Sequence, residues 1–228
     1  MPTGLQIIGD SGAVQVDESF ASLALRGKGS ATFATYESDP RDSATLTVTI
    51  AGEYPLLAYR SAFPVALWYV EQSGANWIFH LITAKSNVGQ SLQWYVFDRP
   101  IDIGSKYGLQ VFDASGRLTF DALQKYLRAR DLVPTYMASV AFDGYEARTW
   151  ATIMMVTGLM SAVSPIGNPG QIEWTWNASL RFTGASVLPT GFRIDQIIAA
   201  TIKSNGPSLP NYDNSPNGIV MLVDVTNY

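Results

Sequence analysis

The stretch Gly108-Leu109-Gln110-Val111-Phe112-Asp113-Ala114-Ser115-Gly116-Arg117-Leu118-Thr119-Phe120-Asp121 has a second copy earlier in the chain. That copy is Gly4-Leu5-Gln6-Ile7-Ile8-Gly9-Asp10-Ser11-Gly12-Ala13-Val14-Gln15-Val16-Asp17, aligned without a gap at an offset of 104. Extended to Leu23 against Leu127 and Arg26 against Arg130, the match is identical at 8 of 23 positions, and most other strand positions keep their polar or apolar character. Each copy reads as a β-hairpin. Leu5 and Ile7, like Leu109 and Val111, alternate ahead of a turn. The turn holds a glycine, which reaches positive φ at no steric cost. A short strand of period two follows, Val14-Gln15-Val16 or Leu118-Thr119-Phe120. Asp17 and Asp121 then close the unit as side-chain caps on the backbone N–H groups of the next turn.

Beyond the hairpins the copies diverge in sequence while keeping the same texture. Alternating or apolar runs predict strands over Thr45–Ile50, Ala66–Val70, Trp77–Leu81 and Leu92–Phe97 in the first half. The second half offers Met137–Phe142, Thr152–Val156, Ile172–Trp176, Ser179–Phe182, Ile197–Ile202 and Gly218–Val225. Each half ends on an apolar strand that carries an aspartate, Asp98 or Asp224. One run has helical spacing, Phe120 to Arg130, where Leu123 and Leu127 lie four apart. Short strands separated by turn signals indicate an all-β fold of two tandem β-sandwich domains. The expected boundary puts one repeat at residues 1–104 and the other at 105–228, joined near Pro100 to Lys106.

Composition removes several chemistries. The 228 residues include no cysteine and one histidine, His80. Disulfides, thiolate metal sites, cysteine nucleophiles and multi-histidine metal sites are therefore excluded. A net charge of −4 without basic runs offers no footprint for nucleic acid. The first 17 residues show no basic n-region followed by an apolar stretch, so no secretory signal is read there. The apolar run Trp150–Val163 has 14 residues, short of the ~20 a membrane helix requires, and is read as one or two buried strands. His80 lies on the strand face opposite Phe79 and reads as a solvated or hydrogen-bonded residue. Gly27-Lys28-Gly29-Ser30 lacks the rest of a phosphate-loop pattern and opens no helix. Pairing Glu71 with Glu173 as glycosidase carboxylates has no support in their spacing. No catalytic residue, metal ligand or cofactor is expected.

Aromatic residues supply the candidate site. Charged residues make up only 15% of the chain and aromatics 12%. Adjacent strand residues point to opposite faces, so one of Trp94 and Tyr95 is expected in the core and the other on an outer surface. Trp68, Tyr69, Trp94, Trp174, Trp176 and Tyr212 are the candidate interface or ligand-stacking residues. Tyr212 lies in the Pro/Asn/Gly-rich tract Asn205–Gly218 and would anchor it against a neighbouring subunit.

The phrase Tyr107–Asp121 resembles the opening of small virion proteins of tailed bacteriophages, in which a glycine-led strand, an Asx/Ser-Gly turn and a strand ending in Phe-Asp follow one another. Gly4–Asp17 is a second copy of that opening, where one copy is common. The resemblance implies a non-enzymatic structural component of a bacteriophage tail: tail tip, baseplate or fibre attachment. It further implies homo-oligomerisation and contact with other tail proteins, with synthesis in the host cytoplasm and residence in the virion. The alternative is a receptor- or carbohydrate-binding module at the tail end.

Overall fold

The described strands of the two copies pair alike, residue for residue. The structure, a computed structural model, describes residues 6–8, 14–17, 21–35, 43–135, 139–166, 175–205 and 217–228. In the first hairpin, β1 (Gln6–Ile8) pairs with β2 (Val14–Asp17) as Gln6–Asp17, Ile7–Val16 and Ile8–Val14, with a bulge after Ile7. The first half continues with β3 (Ala24–Thr32), β4 (Ala34–Thr35), β5 (Ser43–Ala51), β6 (Leu56–Arg60), β7 (Ala66–Ser73), β8 (Asn76–Ala84) and β9 (Ser91–Asp98). The second hairpin, β10 (Gln110–Phe112) and β11 (Leu118–Asp121), repeats every pair of the first at the same offset of 104, bulge included. The second half then adds β12 (Ala129–Thr135), β13 (Val140–Phe142), β14 (Trp150–Val156), β15 (Leu159–Ile166), β16 (Thr175–Leu188), β17 (Gly191–Asn205) and β18 (Gly218–Asp224).

The offset persists into the body of each half. β3 pairs with β9 as Leu25–Phe97 and Gly27–Val96, skipping Arg26 in a bulge. β12 pairs with β18 as Ala129–Val223 and Asp131–Leu222, skipping Arg130. Both skipped residues are the arginines that match in the alignment. The middle strands follow suit: Ala58 of β6 faces Tyr95, and Ile153 of β14 faces Met221. Strand order is β3-β9-β6 in one half and β12-β18-β14 in the other.

These triplets join into one sheet of order β12-β18-β14-β6-β9-β3, through an antiparallel contact of β14 with β6 at Thr152 and Tyr59. Two four-stranded sheets, β4-β5-β8-β7 and β13-β17-β16-β15, contribute the other side of the core. They also touch, because Val65 and Ala185 exchange N–H···O bonds of 3.0 and 2.8 Å. The main core takes Leu57, Tyr59, Leu92, Val96, Trp150, Met154, Val220 and Leu222 from the six-stranded sheet. Against them lie Leu46, Val48, Phe79 and Leu81 of one outer sheet and Ala185, Phe192 and Ile194 of the other. The opposite face of the six-stranded sheet is covered too. There Ala58, Tyr95, Phe97, Ala151, Ile153 and Val223 pack with Leu23, Leu25, Leu127 and Tyr228. All-β is therefore the observed class, with one sheet and one core drawn from both sides of residue 104.

Two expectations are corrected. Phe120–Arg130 is not helical. Asp121 ends its strand and folds the chain back, its Oδ1 accepting the Leu123 N–H at 2.9 Å and its carbonyl that of Gln124 at 3.0 Å. The carboxylate is thus the turn cap expected of it. Nor does either of Trp94 and Tyr95 lie on an outer surface. They do point to opposite faces, but both faces are covered, so Tyr95 is buried and Trp94 half-buried against the main core.

The Gly27-Lys28-Gly29 run is an inner stretch of β3 that makes room for Trp94. A Cβ on Gly29 would meet the indole at 2.6 Å, whereas one on Gly27 would rest at an ordinary 3.6 Å. The equivalent of the Gly29–Trp94 pair in the second half is Val133–Val220, so the same cross-strand space is filled by two medium side chains instead of none and one large. Gly29→Ala is expected to lose about 1–3 kcal/mol through overpacking. Gly27→Ala is expected to be neutral or to gain up to about 1 kcal/mol, by restricting the unfolded chain. Urea unfolding of the two variants tests the contrast; equal losses would contradict it.

Candidate interaction surface

Of the six candidate aromatics, Trp68, Tyr69 and Trp94 have described side chains, and Trp94 packs against a different cluster from Trp68. Trp68 and Tyr69 are on β7, where the register slips between Leu67 and Tyr69 and leaves Trp68 as the bulged residue. Trp68 is half-buried, packed with Ala66, Ile82, Phe182 and Ile197. Tyr69 is exposed and stacks on His80 of β8, its cross-strand partner, with ring centroids 4.0 Å apart and planes within 12°. Glu71 brings a carboxylate oxygen to 3.7 Å from His80 Nε2, an ion-pair distance only when the imidazole is protonated. Trp94 is half-buried against the main core, as above. Trp176 belongs to β16, paired with Pro165 and Ser204. Trp174 and Tyr212 fall outside the described residues, as does Glu173.

Exposed apolar surface gathers elsewhere. One group occupies the connection between the halves and the second hairpin: Ile101, Ile103, Tyr107, Leu109, Phe112 and Leu123, all exposed. That hairpin is held to the first half by an ion pair between Arg117 and Glu53. Its turn is fixed by Asp113, whose carboxylate accepts the N–H groups of Ser115 and Arg117, both at 2.9 Å, with Gly116 at φ 79°.

A second apolar group covers the end of the six-stranded sheet, on the face opposite the main core. Cross-strand rows place Leu132 beside Met221 and Pro134 beside Ile219, with Val156 on the far side of Ile219. Leu132 and Val156 are 55% and 45% exposed, and Met155, in the bulge of β14, is exposed as well. The rows that correspond to these in the first half are Lys28–Tyr95 and Ser30–Gln93–Arg60. There the outer positions are polar: Lys28 donates to the Tyr228 carbonyl at 2.7 Å and Arg60 reaches Gln93 at 3.5 Å. One position in the fold is thus polar in the first half and apolar in the second. Sequence reading missed this patch, since its members come from three strands and no single strand shows an exposed run.

The paired aspartates hold structure. Asp98, buried, accepts the N–H groups of Glu53, Tyr54 and Arg99 at 2.8, 3.1 and 2.7 Å. Asp224 takes the same place at the end of β18 but serves the Arg148 guanidinium at 2.8 Å and the Thr226 N–H at 2.9 Å. Arg148 corresponds to Glu53, so loop and aspartate are linked in both halves by different chemistry. Arg128, Arg130, Glu146, Arg148 and Asp224 line a cleft of about 160 Å³ at this end. Among the described residues no three acidic or histidine side chains converge as a metal ion would require, and no helix is long and apolar enough to cross a membrane. Compared with known proteins, the chain matches no family model, no curated protein and no solved structure.

Burial raises the Asp224 carboxyl, but hydrogen bonds from Thr226 and Arg148 and the charge of Arg128 outweigh it and hold the group below the usual aspartate range. The Ser105 hydroxyl, with help from the Leu123 N–H and Gln110, does the same for Asp121 against its own burial. Both groups bind protons more weakly folded than unfolded. Their stabilisation is therefore complete above the unfolded value of about 4 and is lost as pH falls through the lowered folded values. Urea unfolding between pH 6 and 3 should show stability declining with acid, less steeply for Asp224→Asn. An unchanged slope in that variant would contradict the assignment.

Proposed function

We propose that the chain is a non-enzymatic structural component of a bacteriophage tail, assembling with sister subunits or other tail proteins through exposed apolar surface. The observation that supports this most is the sheet end formed by Leu132, Pro134, Met155, Val156 and Ile219. Contiguous exposed apolar patches of this kind mark association surfaces. The first half provides an internal control: the same position on the same backbone is finished with Lys28, Ser30, Gln93 and Arg60. An apolar surface is therefore not a requirement of the fold at that point, and its presence in one copy calls for a partner. The exposed side chains of the second hairpin, the hairpin that carries the resemblance to virion proteins, add a second association surface.

Receptor binding is the second reading, favoured by the exposed Tyr69 ring stacked on His80. The test is mass spectrometry of purified particles made with the wild-type chain and with Leu132→Arg/Val156→Glu. The structural reading expects the wild-type chain at a fixed ratio to the major tail proteins. It expects the variant to fold with wild-type circular dichroism and to be depleted at least tenfold from particles. Absence of the wild-type chain from particles would overturn it. Undiminished incorporation of the variant, with host adsorption lost in Tyr69→Ala, would favour the receptor reading.

A further inference from the structure

A twofold axis leaves a recognisable trace: one patch meets its own equivalent, and at the axis the two facing residues are equivalents of each other. That trace occurs twice between the halves. The register set by Thr152 and Tyr59 places Ala58 opposite Ile153, and these two hold the same position in β6 and β14. Separately, Ala24 bridges Tyr126, with the Leu25 N–H on the Lys125 carbonyl at 2.6 Å and the Leu127 N–H on the Leu23 carbonyl at 2.8 Å. This register places Leu23 opposite Leu127, again equivalents, at the offset of 104. All four residues belong to one apolar cluster. Most of that cluster consists of matched pairs: Ala58 with Ile153, Leu56 with Ala151, Tyr95 with Met221, Phe97 with Val223, Leu23 with Leu127.

We infer that the chain is a twofold dimer carried on one polypeptide. The free edge of β6 or β14, together with the segment around Leu23 or Leu127, is a self-recognition surface of the repeat, and its partner is a second copy of the same repeat. The connection between β9 and β10 is a tether. Edge chemistry agrees. An exposed strand edge is normally guarded by charge, proline or a bulge. β12, at one outer end of the sheet, has Arg130, Asp131, Pro134 and a bulge, and β3, at the other, has a bulge at Arg26 and then Lys28. β14 has no charged residue or proline, and β6 has only the terminal Arg60. Compared with β3 and β12 of the same six-stranded sheet, the two strands that face each other are the ones without proline or an internal charge, although β14 does carry a bulge, at Met155.

The inference is independent of the tail assignment and is tested on the whole chain. A protease recognition sequence is inserted between Ile103 and Gly104, in the exposed connection, and the folded protein is cut. The uncut insertion protein, melting as the wild type does, is the control. After cutting, the two pieces are expected to elute together in gel filtration at the volume of the intact chain. Their melting midpoint should rise by about 3 °C for each tenfold increase in protein concentration, as for any two-chain complex, while the uncut midpoint stays fixed. Pieces that elute separately, or a cut protein whose midpoint does not depend on concentration, would overturn the inference.

Discussion

The antiparallel contact of β6 with β14 is the constraint from which the rest of the architecture follows. Each of these strands has one edge paired within its own half, to β9 or β18, and each would otherwise present unpaired backbone and an apolar sequence to water. Placed edge to edge, they turn two three-stranded sheets into one six-stranded sheet, and a sheet that wide is covered on both faces. Strands buried on both faces lose the polar alternation of half-buried ones and read as nearly continuous apolar runs. Trp150–Val156 and Gly218–Asp224 are such runs, and their residues divide by parity between the two apolar clusters. Low charge in the sequence follows in part from this: the centre of the six-stranded sheet has no solvent face to furnish.

Within that common frame the copies have diverged by compensated exchanges. Gly29 with Trp94 in one half fills the space of Val133 with Val220 in the other. Asp98 anchors its loop through backbone N–H groups, while Asp224 does so through an arginine. In both cases the pair changed and the geometry stayed. The sheet ends behave differently, because Ser30, Gln93 and Arg60 in one half stand where the other half has Pro134, Ile219 and Val156, apolar side chains that leave this end of the sheet exposed. A buried pair must answer to its neighbours in the fold, whereas a surface row can answer to something outside it. On the proposed reading, that difference marks the second-half sheet end as the association surface.

Much of the fold was legible in the sequence because its signals are local. The strand pairs of both hairpins, the glycine turn of the second and its closing aspartate follow from period two and from turn chemistry, and the offset of 104 carries through unchanged as far as the arms β3 and β12. Most of the longer strands were legible for the same reason. The join between the halves was not, since nothing local distinguishes an edge that pairs with a neighbouring strand of its own half from one that pairs with the other half. The matched Leu23 and Leu127 were visible in the alignment, yet only the structure shows that they face each other. Trp94 was misplaced because the rule that one strand neighbour faces solvent fails when both faces are covered. Phe120–Arg130 was misplaced because leucines four apart weigh less than an aspartate that satisfies the turn N–H groups itself. Of the candidate aromatics, Tyr69 alone is found on an exposed described surface, and the apolar sheet end escaped detection because its residues come together only across strands.

Amide hydrogen exchange at β6 and β14 tests the shared sheet most directly. If the two strands form the centre of one sheet, amides around Ala58 and Ile153 exchange only through global unfolding, with the same protection as those of β9 and β18. If instead they exchange quickly by local opening while β9 and β18 stay protected, the two strands are free edges and the shared sheet is contradicted.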